Sequence, residues 1–135
     1  MGSNLTVNKE IEEYINNNSI KLHPVQKEII KHNDGLGDIK RMQIAVSQCH
    51  FLHLIIKVSK IKKILEIGTF TGLSTLSMSL ALPEKGKLIA LDKNEKTSDI
   101  AKNFFKKAKQ DNKIKIIIGT ALDTLKDLKK KKRKI

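Results

Sequence analysis

The sequence predicts an α/β protein built on a parallel sheet. Three observations carry that prediction. Lys63–Ile67, Lys87–Asp92 and Lys113–Ile118 are short apolar runs of strand length. Segments of helical period lie between and after them. Turn residues stand where the period changes: Gly68, Pro83 to Gly86, and Gly119-Thr120. Strands that alternate with helices imply parallel pairing through right-handed crossovers.

Taken in order, residues 1–41 are polar with weak helical patterning. Ile11, Tyr14 and Ile15 recur at helical spacing, and so do Val25, Ile29 and Ile30. Asn16-Asn17-Asn18-Ser19 separates the two groups, so the segment reads as two short helices packed on a larger body. Asn33 to Asp38 reads as a loop from its turn residues. Met42 to Ser59 reads as one helix with a broad apolar side of Phe51, Leu52, Ile55, Ile56 and Val58. Lys63–Ile67 is the first strand, and Leu73–Leu82 the helix after it. Lys87–Asp92 is the second strand. Glu95–Lys109 is an amphipathic helix carrying Ile100, Phe104 and Ala108 on one side. Lys113–Ile118 is the third strand, followed by a helix from Leu122 to about Lys130. The predicted organisation is a helical segment 1–41, a sheet-bearing unit 42–128 and a basic tail 129–135.

The 135 residues suffice for one domain. No apolar run approaches the roughly 20 residues that cross a bilayer. One cysteine and no charged-then-apolar leader predict a reducing, cytoplasmic setting. The formal charge is +13, which invites a polyanion partner. Yet Arg41 and Arg133 are the only arginines, and six of the bases lie in 129–134. Arg is the usual reader of base edges, and aromatics for stacking make up only 4% of the chain. A chain rich in Lys, Ile and Asn also fits the drift of an A/T-rich genome, so nucleic acid is disfavoured as a partner.

Ligands of parallel α/β sheets bind at the carboxyl ends of the strands. After the first strand comes Glu66-Ile67-Gly68-Thr69-Phe70-Thr71-Gly72-Leu73-Ser74. The two glycines permit a sharp turn and close approach to the backbone, and a helix opens directly behind. The spacing Gly68-x-x-x-Gly72 differs from the G-x-G-x-x-G of a dinucleotide site. An acid beside the turn disfavours phosphate and favours an amine-bearing ligand, such as the methionine part of S-adenosylmethionine. Glu66 could alternatively cap nearby amides. Asp92, ending the second strand, can accept from both hydroxyls of a ribose, or serve as a helix N-cap. After the third strand, Gly119-Thr120-Ala121 leaves room for an adenine ring, though Gly-Thr also suits a helix start.

With these residues in place, the chain resembles the class I S-adenosylmethionine-dependent O-methyltransferases of the caffeoyl-CoA and catechol type. Leu65-Glu66-Ile67-Gly68-Thr69-Phe70-Thr71-Gly72-Leu73-Ser74 follows that family's L-E-I-G-x-x-T-G-x-S, and Gly119-Thr120-Ala121-Leu122-Asp123-Thr124-Leu125 its G-x-A-L-x-x-L. Met42-Gln43-Ile44, then Gln48 and Phe51-Leu52, follow an upstream family segment; Val46-Ser47-Gln48-Cys49-His50 departs from its Pro-Glu-Gln-Gly-Gln. The resemblance implies the N-terminal half of a Rossmann-like methyltransferase fold, with parallel strands in the order 3-2-1 preceded by N-terminal helices. It implies that Met42 and Ile44 border the methyl-donor pocket, that Glu66 and Gly68 contact the methionine portion and Ser74 its carboxylate, that Asp92 binds the ribose, and that Ala121 lies at the adenine edge.

The implied activity is methyl transfer to a hydroxyl of a small-molecule acceptor, assisted in complete members by a divalent cation. The family's metal ligands and most of its acceptor pocket would fall beyond Ile135, so the expectation is a C-terminally truncated chain with no metal site of its own. Cys49, His50 and His53 do not amount to one, since a tetrahedral site wants a fourth ligand. In the family's sheet order the first strand is central. Its open edge here predicts a homo-oligomer or a complementing chain. The alternatives are a non-catalytic oligomerising remnant and a basic polyanion-binding module. A nicotinamide dehydrogenase is disfavoured by Glu66 and the glycine spacing.

Overall fold

The computed structural model describes residues 6–132. Helix α1 (Lys9–Asn17) begins where Asn8 Oδ1 accepts from the Ile11 N–H at 2.9 Å. Helix α2 (Pro24–Asp34) has Pro24 in its first turn, where a missing N–H costs nothing. His23 caps it: Nδ1 accepts from Val25 N–H, and the His23 N–H donates to Gln26 Oε1 at 2.8 Å. A 3-10 helix spans Gly37–Met42, and α3 runs Val46–Val58. Then come β1 (Lys63–Ile67), α4 (Leu73–Ala81), β2 (Lys87–Asp92), α5 (Glu95–Lys107), β3 (Ile114–Ile118) and α6 (Ala121–Lys132).

The three strands form one parallel sheet in the order β1-β2-β3, which is the expected 3-2-1. Lys63 pairs with Lys87, and Leu88 with Ile114. Side chains alternate across a strand, so each face has its own cover. Leu88 and Ala90 are buried against Ile56 of α3 and Met78, Ala81 and Leu82 around α4, with Ile64 alongside. A second cluster joins Val25 and Ile29 of α2, Cys49 of α3, Leu73 and Leu76 of α4, and Ala101 and Phe105 of α5. Residues 24–34 are thus built into the core rather than laid on it. Ile114 and Ile116 of β3 pack against both clusters.

The opposite face is half covered. Helix α6 packs against β2 there, and Leu91 is buried. On β1, Leu65 is 49% exposed and Ile67 62% exposed. Among the described residues β1 has a strand partner on one side only. Helix α3 presents Phe51, Leu54, Ile55 and Val58 to solvent at i, i+3, i+4 and i+7, a stripe of the kind a helix normally buries.

Two expectations need correction. The helix expected over Met42–Ser59 is two elements, a 3-10 turn ending at Met42 and α3 starting at Val46. Gln43 is extended between them, with its side-chain oxygen held by Asn33 Nδ2 at 2.8 Å. Gln48 Oε1 then accepts the Ala45 N–H at 2.8 Å and opens α3. The loop expected over Asn33–Asp38 is mostly helical too, because the polar Asn33 is buried as the last-turn residue of α2. In the basic tail, residues 129–132 continue α6, and 133–135 lie outside the described residues.

Candidate functional site

The carboxyl end of β1 runs straight into a glycine turn. Gly68 has φ +90° and Gly72 φ +93°, backbone that only glycine adopts freely. The two are glycine for different reasons. A Cβ on Gly72 would lie 2.6 Å from Phe105 Cε1 and 3.0 Å from Ala101 Cβ, so this glycine lets α4 sit against α5. A Cβ on Gly68 would meet nothing within 4 Å. The Gly68 backbone therefore faces open space at the strand end.

Glu66 precedes this turn, and its carboxylate is largely buried. Ser74 Oγ donates to Oε1, and Thr75 Oγ1 donates to Oε2. Both hydroxyls come from the first turn of α4, which the glycine turn carries back across the strand end. Burial pushes the Glu66 carboxyl above its ordinary value. The two hydroxyls pull it partly back, and the Asp92 charge adds to the rise. An ionised carboxylate held in that setting is stabilised by any cation that reaches it.

Asp92 ends β2 and turns toward the same loop. Its Oδ2 accepts the N–H of Thr69 and the N–H of Phe70, each at 2.8 Å, and its Oδ1 accepts Asn94 N–H at 2.9 Å. Burial raises the Asp92 carboxyl, but the N–H groups of Asn94, Phe70, Thr69 and Lys93 together outweigh it and hold the group below its ordinary value. Asp92 is not the N-cap of α5; Asn94 is, through Thr97 N–H at 3.2 Å. Backbone bonds complete the alignment of the three strand ends: Gly68 N–H to Leu91 O at 2.8 Å, and Gly119 N–H to Asp92 O at 2.9 Å.

Glu66, Gly68, Ser74 and Asp92 thus form one group around the first loop. Ala121 opens α6 behind Gly119, on the next strand end. Met42 is 64% exposed at the end of the 3-10 helix, whereas Ile44 packs against the helical core cluster. Both flank Gln43, which is linked to the first loop through Asn33. The structure adds residues that the sequence did not single out. Thr75 shares Glu66 with Ser74. Thr71 Oγ1 donates to Asn33 Oδ1 at 2.8 Å. The hydroxyls of Thr71, Ser74 and Thr75, clustered about a glycine turn, were the available signal.

A cavity of about 570 Å³ opens elsewhere, between α1 and α3, lined by Ile15, His50, Phe51, His53 and Leu54 among others. It contains none of the strand-end residues. Burial lowers the basicity of both histidines. Among the described residues no group of three His, Cys, Asp or Glu could hold a metal ion. No helix there is long and apolar enough to cross a membrane.

A family model described as O-methyltransferase matches residues 16–135. The caffeoyl-CoA O-methyltransferase of Populus kitakamiensis is 37% identical over 92 residues, covering 68% of this chain and 39% of its own length. The flavonoid 3',5'-methyltransferase of Vitis vinifera is 38% identical over 87 residues, covering 64% of this chain and 37% of its own. The solved O-methyltransferase from Bacillus cereus, in complex with SAH (S-adenosylhomocysteine), superposes with a TM-score of 0.81 at 26% identity, over 90% of this chain and 55% of that one. The chain spans about half the length of several curated relatives that it matches, 46% to 53%.

Proposed function

The chain belongs to the O-methyltransferase family, and from that premise we propose that its strand ends bind S-adenosylmethionine as the donor side of a methyl-transfer site. One observation carries the reading: a largely buried carboxylate, Glu66, stands beside a glycine backbone that opens to free space, with a second carboxylate, Asp92, on the neighbouring strand end.

The residues present fit the donor molecule. Glu66 meets the ammonium of the methionine portion, whose charge offsets the burial of the carboxylate. Gly68 admits the ligand against the backbone. Ser74 gives its hydroxyl to Glu66, and its backbone N–H, in the first turn of α4, meets the methionine carboxylate at the positive end of that helix. Asp92 accepts from the ribose hydroxyls while its loop-facing oxygen keeps Thr69 and Phe70 in place. Ala121 borders the adenine, and Met42 and Ile44 close the rim. When bound, the molecule supplies an electrophilic methyl on a sulfonium. The work of this chain's residues is to hold it so that the methyl faces an acceptor oxygen in line.

The acceptor in this proposal is a small molecule bearing a hydroxyl. The cation implied for complete family members does not fit the described residues, which offer no ligand cluster. The acceptor side comes from further polypeptide or from a second copy. The open edge of β1 and the bare α3 stripe favour such an association, because both are surfaces that folded proteins normally cover. A cytoplasmic setting belongs to the same proposal, with Cys49 a free buried thiol.

Titration calorimetry with S-adenosylhomocysteine tests the donor site. Saturable binding that weakens at least tenfold in Glu66→Gln, a loss of about 1.4 kcal/mol, supports it. No heat at millimolar ligand overturns it.

A further inference from the structure

Asn33 is fully buried near the end of α2, remote from the strand-end carboxylates in sequence. Its two amide atoms serve two different loops. Oδ1 accepts from Thr71 Oγ1 at 2.8 Å, inside the glycine turn after β1. Nδ2 donates to Gln43 Oε1 at 2.8 Å, in the extended link between the 3-10 helix and α3. Thr71 is itself fully buried, so its hydroxyl has no solvent to turn to if Asn33 is lost.

We propose that Asn33 is a positioning residue that fixes the Met42–Ile44 rim against the Gly68–Gly72 turn. The proposal rests on the cofactor reading of those two segments. Gln43 breaks the helical path and makes the backbone between Met42 and Ile44 extended, an irregular stretch with no ladder to hold it. The turn on the other side contains Phe70 at φ +52°, also a conformation that needs outside support. A primary amide carries an acceptor and a donor on two separate atoms, and here each is used once. Aspartate at this position would lose the donor, and leucine would lose both. The amide therefore transmits the position of one loop to the other, and a ligand gripped by the turn meets a rim already in register.

A matched control exists in the same helix. Gln26 is also buried, and its Nε2 donates to Ser77 Oγ at 2.8 Å, tying α2 to the middle of α4 rather than to either loop.

The test is amide hydrogen exchange on the unliganded 135-residue chain, followed by calorimetry with S-adenosylhomocysteine. Asn33→Ala is expected to speed exchange about tenfold at both Thr69–Gly72 and Gln43–Ile44, and to weaken the ligand by a similar factor. Gln26→Ala is expected to lower the melting temperature while leaving both loops and the ligand affinity within about twofold. Should Asn33→Ala fail to fold, Thr71→Val keeps the side-chain shape, removes one of the two bonds, and must still loosen the turn. Faster exchange confined to α2, or an equal effect from Gln26→Ala, overturns the proposal. Absence of binding by the unaltered chain overturns the cofactor reading alone, because the exchange pattern is measured without ligand.

Discussion

The Phe70 N–H donates to Asp92 Oδ2 at 2.8 Å, so a carboxylate on one strand end holds a left-handed residue in the loop of its neighbour. A bulky residue at positive φ costs roughly 1–2 kcal/mol, and the bond from Asp92 is what compensates it. Asp92→Ala leaves the N–H groups of Thr69 and Phe70 without that acceptor. Asp92→Asn keeps one oxygen for them. The alanine variant should therefore lose about 1–2 kcal/mol of stability and the asparagine variant less. Both should weaken S-adenosylhomocysteine, alanine the more. Thermal melts and calorimetry check the order; unchanged affinity in Asp92→Ala would remove the carboxylate from the site.

The two glycines of the turn should separate stability from binding. Gly72→Ala drives a methyl into Phe105 and Ala101 on top of its positive φ, and should cost about 3 kcal/mol. Gly68→Ala meets no neighbour, so only the backbone penalty of roughly 1–2 kcal/mol applies. Its methyl would project into the space assigned to ligand. The melting temperature should fall most for Gly72→Ala, and the ligand affinity most for Gly68→Ala relative to its loss of stability. A reversed order contradicts the assignment.

Glu66 predicts a pH dependence with a definite sign. Its folded-state value is raised, by burial first. The stability linked to it is therefore fully present below the unfolded-state value, and is lost as pH climbs through the folded-state value. Glu66→Gln should flatten that part of the stability profile and make the unliganded chain more stable at neutral pH. Ligand binding runs the other way. An ammonium needs the ionised carboxylate, so affinity should fall on acidification, beginning at a pH above the usual glutamate range. A wild-type affinity that is flat across that window, or a Glu66→Gln variant that binds as well, would show that the carboxylate does not meet the ligand.

Association should depend on the open edge of β1 and on the α3 stripe. Light scattering on the purified chain is expected to give a mass above that of one 15.2 kDa chain. Val58→Glu together with Ile67→Lys should shift it toward the monomer while changing the stability of each copy little, because both side chains are exposed within it. A monomer at high concentration would mean that neither the open edge nor the α3 stripe is used between copies.

The strands were legible in the sequence because each apolar run stops at a residue with a physical reason to stop it: Gly68 after β1, Asp92 closing β2, Gly119 after β3. Glu66 and Asp92 stood out for the same reason, as acids at the ends of such runs. The break before α3 was hidden. Met42 and Ile44 continue an apolar pattern, and the helix starts on a cap supplied by Gln48 rather than by a Ser, Thr, Asp or Asn ahead of it. Asn33 was misread because a polar residue before Asp34-Gly35 looks like a turn, and only tertiary packing shows that it is buried. The sharing of Glu66 between Ser74 and Thr75 depends on how far the glycine turn folds α4 back over the strand, which no spacing rule reports.

The order of the strands along the sheet repeats their order along the chain. Each pairing is closed by a single intervening helix, so the sheet can grow outward from β1 as each βα unit joins the last, without waiting for a distant segment. Strand β2, hydrogen-bonded on both sides, becomes the most slowly opening part of the molecule, and the turn that Gly68 opens just after Glu66 is anchored directly to it through Leu91.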